Sequence, residues 1–465
     1  MGFFVIIYTY GAYTYFMRRK QAEKREKYFF IGIGGVSMSG LATYLKLQGF
    51  DVSGSDERNG EKICFLRENG IEVFVGKQDN ICRIDNADVV VYTDAIPFEN
   101  KELAYARETK KQVYSRGELL RQIAGRFSTV LAVGGSHGKT TCTSMCAHVF
   151  KEAGASFCAH IGGEDAEIGS FYYSGDEYFL TEACEYKQNL LKIPADVAIL
   201  LNADKDHLDC YRDENQLFDT FAQFCSTAKI AVVSLDDKVS SVVNDAVTFS
   251  VYEKGADYRA VNLRQEGERY TFSVVEYGVR LCRIRLGVVG RCHVYNALAA
   301  FAAMRALGFS VDEIKRGLEN FQSVKRRFER VGKYRGADVI CDYAHHPREI
   351  LTTVQTAKGL TRGKLLVVFQ PHTYSRTETL MGEFVEVLKP IELLMIYKTF
   401  AAREAYKQEG DAKTLAEKIG DCLYSDGLSS LRAWLDRTAS DGDCILFLGA
   451  GDIYYLAQYL AKEIV

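Results

Sequence analysis

The sequence predicts an α/β protein of three successive domains, each a largely parallel sheet layered with helices. Two observations carry this. Short apolar runs alternate with helix-compatible stretches from Tyr28 to the C-terminus, the pattern of parallel sheets covered by helices. The 465 residues also exceed what one hydrophobic core usually serves, so two to four domains are expected.

Composition narrows the class. Hydrophobic residues make up 47% and charged residues 26%, which suits a globular protein with ample core. A net charge of −3 and a pI near 6.3 argue against a globally basic, nucleic-acid-binding surface. Thirteen scattered cysteines form no C-x-x-C pair and no His/Cys zinc spacing. They read as free thiols in a reducing, cytoplasmic setting.

Residues 1–27 are predicted to be an extension outside the domains. Gly2 to Met17 carry no charge, and Arg18-Arg19-Lys20 follow. Such a stretch falls short of the ~20 residues a spanning helix needs. Basic residues after the apolar run reverse the order of a signal peptide. No stable membrane insertion is expected, and Met17 is a candidate start.

The first domain is assigned to 28–124. Tyr28 to Ile31 reads as a strand, Gly32 to Gly35 as a turn, Ser39 to Leu47 as a helix, Val52 to Asp56 as a second strand and Asp88 to Tyr92 as another. This opening is Rossmann-like. Gly32 and Gly34 fit G-x-G-x-x-G, but Ser37 holds the third glycine position, so a packing turn and a phosphate-binding turn both remain open. Asp56, preceded by Ser55, stands about 20 positions on, where an acidic residue can bind a ribose-like hydroxyl.

The central domain is assigned to 125–323. Val130-Leu131-Ala132 leads into Gly135-Ser136-His137-Gly138-Lys139-Thr140-Thr141, and Cys142 to Ala153 reads as a helix. This is a phosphate loop in its strand–loop–helix setting, shortened because Val133 stands where the usual pattern begins with glycine. Backbone N–H groups and a helix N-terminus would cradle phosphates, Lys139 would reach the terminal ones, and a threonine hydroxyl would ligate Mg²⁺. Further strands are expected at Tyr178 to Thr181, Val197 to Leu201 and Ile230 to Val233, with antiparallel hairpins over 252–289 and a helix from Asn296 to Leu307. A P-loop ATPase domain with a mostly parallel sheet follows. Glu182 and Glu185 come after a strand end, where a carboxylate can hold Mg²⁺. Asn202 to Asp209 sets His207 among three aspartates, a place for a second metal or for turn caps.

The third domain is assigned to 324–465. Lys325, Arg326, Arg327, Arg330, Lys333 and Arg335 read as a linker, either solvated or facing an anion. Strands are expected at Val339 to Cys341, Leu365 to Phe369, Leu393 to Tyr397 and Cys444 to Leu448, giving a second Rossmann-like unit. Asp342-Tyr343-Ala344-His345-His346-Pro347 and Gln370 to Arg376 each follow a strand and suit proton handling or anion contacts. Polar loops at strand ends in separate domains imply a site that closes between them.

Seven ordered motifs then resemble the Mur ligase family from Tyr28 to the C-terminus: Phe30 to Ala42, Gly135 to Thr141, Glu182 to Glu185, Asn202 to Tyr211, Arg326 to Glu329, Asp342 to Pro347 and Phe369 to Thr377. The first, with the paired-histidine and Gln-Pro-His motifs, points to the alanine-adding members. The resemblance implies ATP-dependent amide formation in peptidoglycan precursor synthesis, with ATP, Mg²⁺, UDP-N-acetylmuramate and L-alanine as ligands. It places Gly135, Ser136, His137, Gly138, Lys139, Thr140 and Thr141 on the phosphates, Asn296 on adenine, and Arg327 and Asp342 at the nucleotide site. It gives one Mg²⁺ to Thr140 and Glu182 and a second to His207. It assigns His345, His346, His372 and Arg376, with Lys139, to the chemistry around an acyl phosphate. Gly32, Gly34, Gly35 and Ser37 would take the UDP diphosphate, with Ser55 and Asp56 near uridine.

Some positions depart from the family pattern. Ser37 replaces a common glycine, Cys184 and Lys187 stand where relatives carry acidic residues, and Cys292 and His293 alter the segment before Asn296. Glu214 to Ser226 contains no lysine, so no carbamylated lysine is expected. A murein-tripeptide ligase is the near alternative. A catalytically silent nucleotide-binding module is the distant one, and the presence of Lys139, Thr140 and Glu182 speaks against it.

Overall fold

The structure is a computed structural model that describes residues 9–10, 13–14, 26–76, 79–97, 99–204 and 211–462. Most of the 1–27 extension, and the predicted metal ligand His207, lie outside these residues. Near the N-terminus β1 (Thr9–Tyr10) pairs antiparallel with β2 (Tyr13–Thr14).

The first sheet contains β3 (Lys27–Ile31), β4 (Asp51–Asp56), β5 (Glu72–Val75), β6 (Val89–Tyr92) and β7 (Gln112–Ser115), all parallel in the order β5-β4-β3-β6-β7. Its helices are α1 (Val36–Leu47), α2 (Glu61–Glu68), α3 (Ile81–Asp85), α4 (Lys101–Glu108) and α5 (Arg116–Ala124). Strand order reverses at β3, so the Gly32–Gly35 turn leaves the sheet at the crevice where open parallel sheets bind ligands. Helix α1 begins three residues before the predicted Ser39, because Gly35 is extended (φ −62°, ψ 143°) and serves as its N-cap.

The second sheet has ten strands. They are β8 (Thr129–Gly134), β9 (Phe157–Asp165), β10 (Gly169–Tyr173), β11 (Tyr178–Glu182), β12 (Val197–Leu200), β13 (Ile230–Ser234), β14 (Val247–Ser250), β15 (Tyr258–Glu266), β16 (Arg269–Glu276) and β17 (Val279–Val289). The order is β10-β9-β11-β8-β12-β13-β14-β15-β16-β17, parallel from β9 to β15 and antiparallel at both ends. Helices α6 (Lys139–Glu152), α7 (Glu214–Thr227), α8 (Cys292–Ala306) and α9 (Val311–Asn320) cover it. Helix α8 is apolar around its circumference, burying Val294 and Ala297 through Met304, as a helix enclosed on all sides must be. Ser310 and Glu313 form a capping box at the start of α9.

The third sheet holds β18 (Glu329–Tyr334), β19 (Ala337–Asp342), β20 (Leu365–Phe369), β21 (Leu393–Tyr397), β22 (Leu423–Ser425) and β23 (Cys444–Leu448) in the order β18-β19-β23-β20-β21-β22, with only β18 antiparallel. Helices α10 (Pro347–Leu360), α11 (Tyr374–Thr379), α12 (Met381–Leu388), α13 (Ala412–Ile419), α14 (Leu428–Thr438) and α15 (Ile453–Lys462) flank it. The linker expected across 325–335 is thereby corrected. Its second half is the edge strand β18, and the crossover itself is confined to the residues before Glu329.

The cores are unequally shared. One buried cluster runs from Tyr28, Phe30 and Leu41 in the first domain into Phe179, Leu200 and Phe224 in the second, and the Tyr44 and Phe127 rings lie 6.0 Å apart across the boundary. The third domain instead has two clusters of its own, one on each face of its sheet. The first two domains therefore form one packed body, and the third meets it through polar contacts. Among the described residues no helix is long and apolar enough to cross a membrane, and twelve cysteines are free thiols.

Candidate active site between the three domains

The phosphate loop follows β8, a central strand. Its shape depends on two glycines. Gly138 is left-handed (φ +85°), and a Cβ there would stand 2.6 Å from Oδ1 of Asn296. Gly135 (φ +128°) packs against the backbone of Asn202, where a Cβ would lie 3.0 Å from the carbonyl oxygen. Left-handed backbone at Gly138 ends the loop abruptly, so α6 starts at Lys139 rather than at the predicted Cys142. The N–H groups of its first turn have no acceptor within the helix, which makes them anion donors. Ser136 donates its N–H to the Asn202 carbonyl (3.1 Å) and His137 donates to Oδ1 of Asn202 (2.8 Å), bracing the loop.

Lys139 Nζ donates to the Gly135 carbonyl (2.5 Å), the Ser136 carbonyl (3.2 Å) and both Glu185 oxygens (3.0 and 2.9 Å). Burial alone would lower the lysine's pKa, but the Glu185 carboxylate outweighs it and holds the group well above its ordinary value. Glu185 is 1% exposed, and its motif gives no sign that it, rather than Glu182, grips the lysine.

Glu182 stands at the end of β11, beside β8. It accepts from the Gly162 N–H (2.6 Å) and from the Thr140 hydroxyl. Burial pushes its pKa up, while Gly162, Lys139, Thr140 and Arg327 oppose the rise. A hydroxyl and a carboxylate adjacent at a loop built for phosphates form a hard-oxygen donor pair, and that donor chemistry fits Mg²⁺.

A cavity of about 670 Å³ opens in front of this loop and is walled by all three domains. The first contributes Gly34, Asp56 and the 58–63 segment; the second Ser136, Gly138, Lys139, Thr140, Glu182 and Glu185; the third Arg326, Arg327, His345, His372 and Arg376. Loops of all three domains thus border one cavity. In this arrangement the lysine and the third-domain groups already face one space.

Third-domain positions follow from the sheet. The loops after β19 and β20 emerge on either side of β23, bringing the His345 and His372 rings to 5.8 Å. Arg376 NH1 lies 3.2 Å from Nδ1 of His372. Arg327 lies over the Tyr343 ring at 5.1 Å and 3.9 Å from Glu349. His346 turns away from the cavity. It is 1% exposed and packs on the His137 ring at 4.9 Å.

His137 bridges two domains. Nδ1 lies 3.1 Å from Oε1 of Glu349, and Nε2 lies 3.1 Å from Oδ2 of Asp204. Burial opposes its protonation, yet the two carboxylates raise its pKa to about 9. Glu349 was not selected from sequence, whereas Asp204 is one of the three aspartates around His207 read there as a metal place or a turn cap. The only local signal for Glu349 is its place three residues after His346 with Pro347 between, a helix-start pattern.

Other predicted residues sit behind the wall. Asn296 is 5% exposed and supports Gly138 from below. Thr141 is buried in α6. Asp342 accepts from the Phe328 N–H (2.7 Å) and the Ala344 N–H (2.8 Å), and burial raises its pKa to about 6 against the pull of Arg327. In the first domain Gly34 donates its N–H to Oδ2 of Asp56 (2.8 Å), tying turn to strand end. Ser55 is 1% exposed and donates to Glu102 (2.6 Å), so its hydroxyl points into the core.

Ser37 fastens the first domain to the second. Its hydroxyl lies 3.0 Å from Nε2 of His160, whose Nδ1 lies 3.2 Å from the Thr181 hydroxyl. Burial first, and Arg116 second, push His160 down from 6.5 to about 4. Between those values the unfolded chain binds a proton that the folded chain does not. Stability should therefore fall as pH drops through this window, by up to about 1.4 kcal/mol per pH unit. Thermal melts at pH 7 and pH 5 check this: His160→Gln should shrink the difference between them, and an undiminished difference would rule the junction out as its source.

Known proteins resemble this chain in sequence and in overall fold. Three family profiles cover most of the chain: "Mur ligase family, catalytic domain" over residues 27–128, "Mur ligase middle domain" over 133–304, and "Mur ligase, glutamate ligase domain" over 326–451. The UDP-N-acetylmuramate–L-alanine ligase of Clostridium beijerinckii is 38% identical over 458 residues, spanning 95% of this chain and 98% of its own. Its namesake from Caldicellulosiruptor bescii is 38% identical over 453 residues, spanning 94% and 99%. The crystal structure of the UDP-N-acetylmuramate-alanine ligase of Thermotoga maritima superposes with a TM-score of 0.80 at 28% identity, covering 94% of this chain and 98% of that one. The chain belongs to the Mur ligase family.

Proposed function

We propose that this protein is an ATP-dependent amide-forming ligase that joins L-alanine to UDP-N-acetylmuramate in cytoplasmic peptidoglycan precursor synthesis. The observation that carries this reading is the single cavity shared by the first-domain glycine turn, the phosphate loop and the third-domain histidine–arginine loops. The relatives at 38% identity, both of that activity by name, support the choice of substrates.

The resemblance to the Mur ligases implies the reaction, and the placement of these residues supports it. A phosphate loop with Lys139 at its helix start holds the terminal phosphates and draws off charge as the γ-phosphate transfers to the muramate carboxylate, releasing ADP and leaving an acyl phosphate. Thr140 and Glu182 would hold Mg²⁺, which supplies charge neutralisation on the same phosphates. The amino group of L-alanine then attacks the acyl carbon, and inorganic phosphate leaves. Arg327, Arg376, His345 and His372 ring the anionic centre from the third domain, and enclosure excludes the water that would hydrolyse the acyl phosphate.

Phosphate release from ATP tests the assignment. Release is expected only when UDP-N-acetylmuramate and L-alanine are both present. Release with a murein tripeptide in place of L-alanine would identify the recycling activity instead, and release from ATP with neither acceptor would contradict the ligase reading.

A further inference from the structure

Behind the cavity wall, side chains from three chain segments and two domains converge on one point. His137 comes from the phosphate loop, Asp204 from the loop after β12, and His346 from the loop before α10. His137 Nε2 and Asp204 Oδ2 are 3.1 Å apart, and one ligand atom from each of the three residues lies within 4.8 Å of the others. Ligands of a tetrahedral ion at bond lengths of about 2.0–2.2 Å stand roughly 3.4 Å from one another. The His137–Asp204 edge is already close to that spacing, and a small movement of the His346 ring completes the set.

The surroundings of His137 support the same role. Its other nitrogen, Nδ1, faces Glu349 Oε1 at 3.1 Å. With a proton held there, Nε2 becomes the ligating atom once a cation displaces the proton it shares with Asp204. A carboxylate behind a ligating imidazole fixes the ring's tautomer and orientation in metal sites. Glu349 is itself fixed, accepting from the backbone N–H groups of His345 (3.1 Å) and His346 (3.4 Å). His346 is 1% exposed, while the side chains of His137 and Asp204 keep 14% and 22%. The three groups are thus largely enclosed.

Two imidazole nitrogens and one carboxylate oxygen suit a borderline ion of the Zn²⁺ class far better than Mg²⁺, which prefers an all-oxygen shell. The oxygen pair Thr140–Glu182 has the opposite preference. We propose that His137, Asp204 and His346 form a binding site for a Zn²⁺-class divalent cation, separate from the Thr140–Glu182 pair, and that its occupancy ties the phosphate loop to the third domain. Binding here does not depend on the ligase reading.

Co²⁺ titration of the full chain, with its thiols kept reduced, provides the test. One equivalent should bind with the visible absorption of a low-coordinate nitrogen–oxygen site and without the strong near-ultraviolet band of cobalt–thiolate, and Zn²⁺ should displace it. Asp204→Asn, close in shape to the native residue, and His346→Ala should each abolish the signal. Glu349→Gln should weaken binding by about 10–100-fold, the range for losing a partner behind a ligating imidazole. Glu182→Gln should leave it unchanged. A signal that survives Asp204→Asn and His346→Ala, that disappears with Glu182→Gln, or that carries thiolate absorption overturns the proposal.

Discussion

Lys139→Ala is expected to lower turnover by roughly 10²-fold or more, because a single contact on developing charge is often worth about 3–4 kcal/mol in the transition state. The structure adds a second consequence. Lys139 neutralises Glu185, a carboxylate that is 1% exposed. Removing the lysine strands that charge, and breaking one side of a buried pair typically costs about 3–5 kcal/mol of stability. The single variant should therefore melt lower as well as turn over slowly. Lys139→Ala combined with Glu185→Gln should recover melting without recovering turnover. Steady-state rates and thermal melts on the same preparations separate the two effects, and near wild-type turnover in either variant would remove the phosphate loop from the chemistry.

Arg376→Lys is expected to leave ATP affinity of the isolated enzyme nearly unchanged while lowering product formation by about 10²-fold, the scale on which a misplaced reacting group is felt. Arg376 reaches the cavity from α11 with its guanidinium 3.2 Å from His372. A planar fork can hold His372 and an anionic oxygen together, whereas an ammonium offers only a point charge. Lys139, Glu182 and Thr140 are far along the chain and in another domain. Nucleotide affinity and ligation measured side by side are decisive. An equal fall in both would move Arg376 to the ATP site, and no fall in either would remove it from the reaction.

The domain arrangement explains why these two residues should separate so cleanly. The first and second domains share a continuous apolar cluster, and the third carries its own. What joins the third to the rest is polar: His137 with Glu349, Arg348 with Asp204 and Lys325 with Glu164. Polar interfaces between separately cored domains open and close more readily than apolar ones. The crossover also bends through positive φ at Arg326 (62°) and Phe328 (48°).

What could be read from sequence follows the range of the interactions involved. The phosphate loop was legible because its function is local: Gly138, Lys139 and Thr140 act through consecutive backbone positions at one helix start. The parallel strands were legible because burial on both faces makes them continuous apolar runs. Strand β18 was hidden because it is a charged edge strand, with Arg330 paired to Glu268 and Lys333 to Asp338, and such strands carry little apolar signal. His346 was grouped with His345, yet neighbours on one loop point to different sides, and only the second domain's His137 decides which is buried. Glu349 lies 212 positions from His137, a separation over which one sequence carries no pairing information. The family resemblance sets Ser55 near uridine, whereas the alternation of side chains along β4 turns it onto Glu102.

The central claim is that one cavity passes a phosphoryl group from ATP to the muramate carboxylate before the amine arrives. Oxygen transfer tests it most directly. UDP-N-acetylmuramate labelled with ¹⁸O in its carboxylate is incubated with ATP, Mg²⁺ and L-alanine, and the inorganic phosphate released is weighed by mass spectrometry. The expected result is phosphate carrying one carboxylate-derived oxygen, formed in step with the amide. Unlabelled phosphate alongside amide formation, or label found in AMP, would contradict transfer through an acyl phosphate at this site.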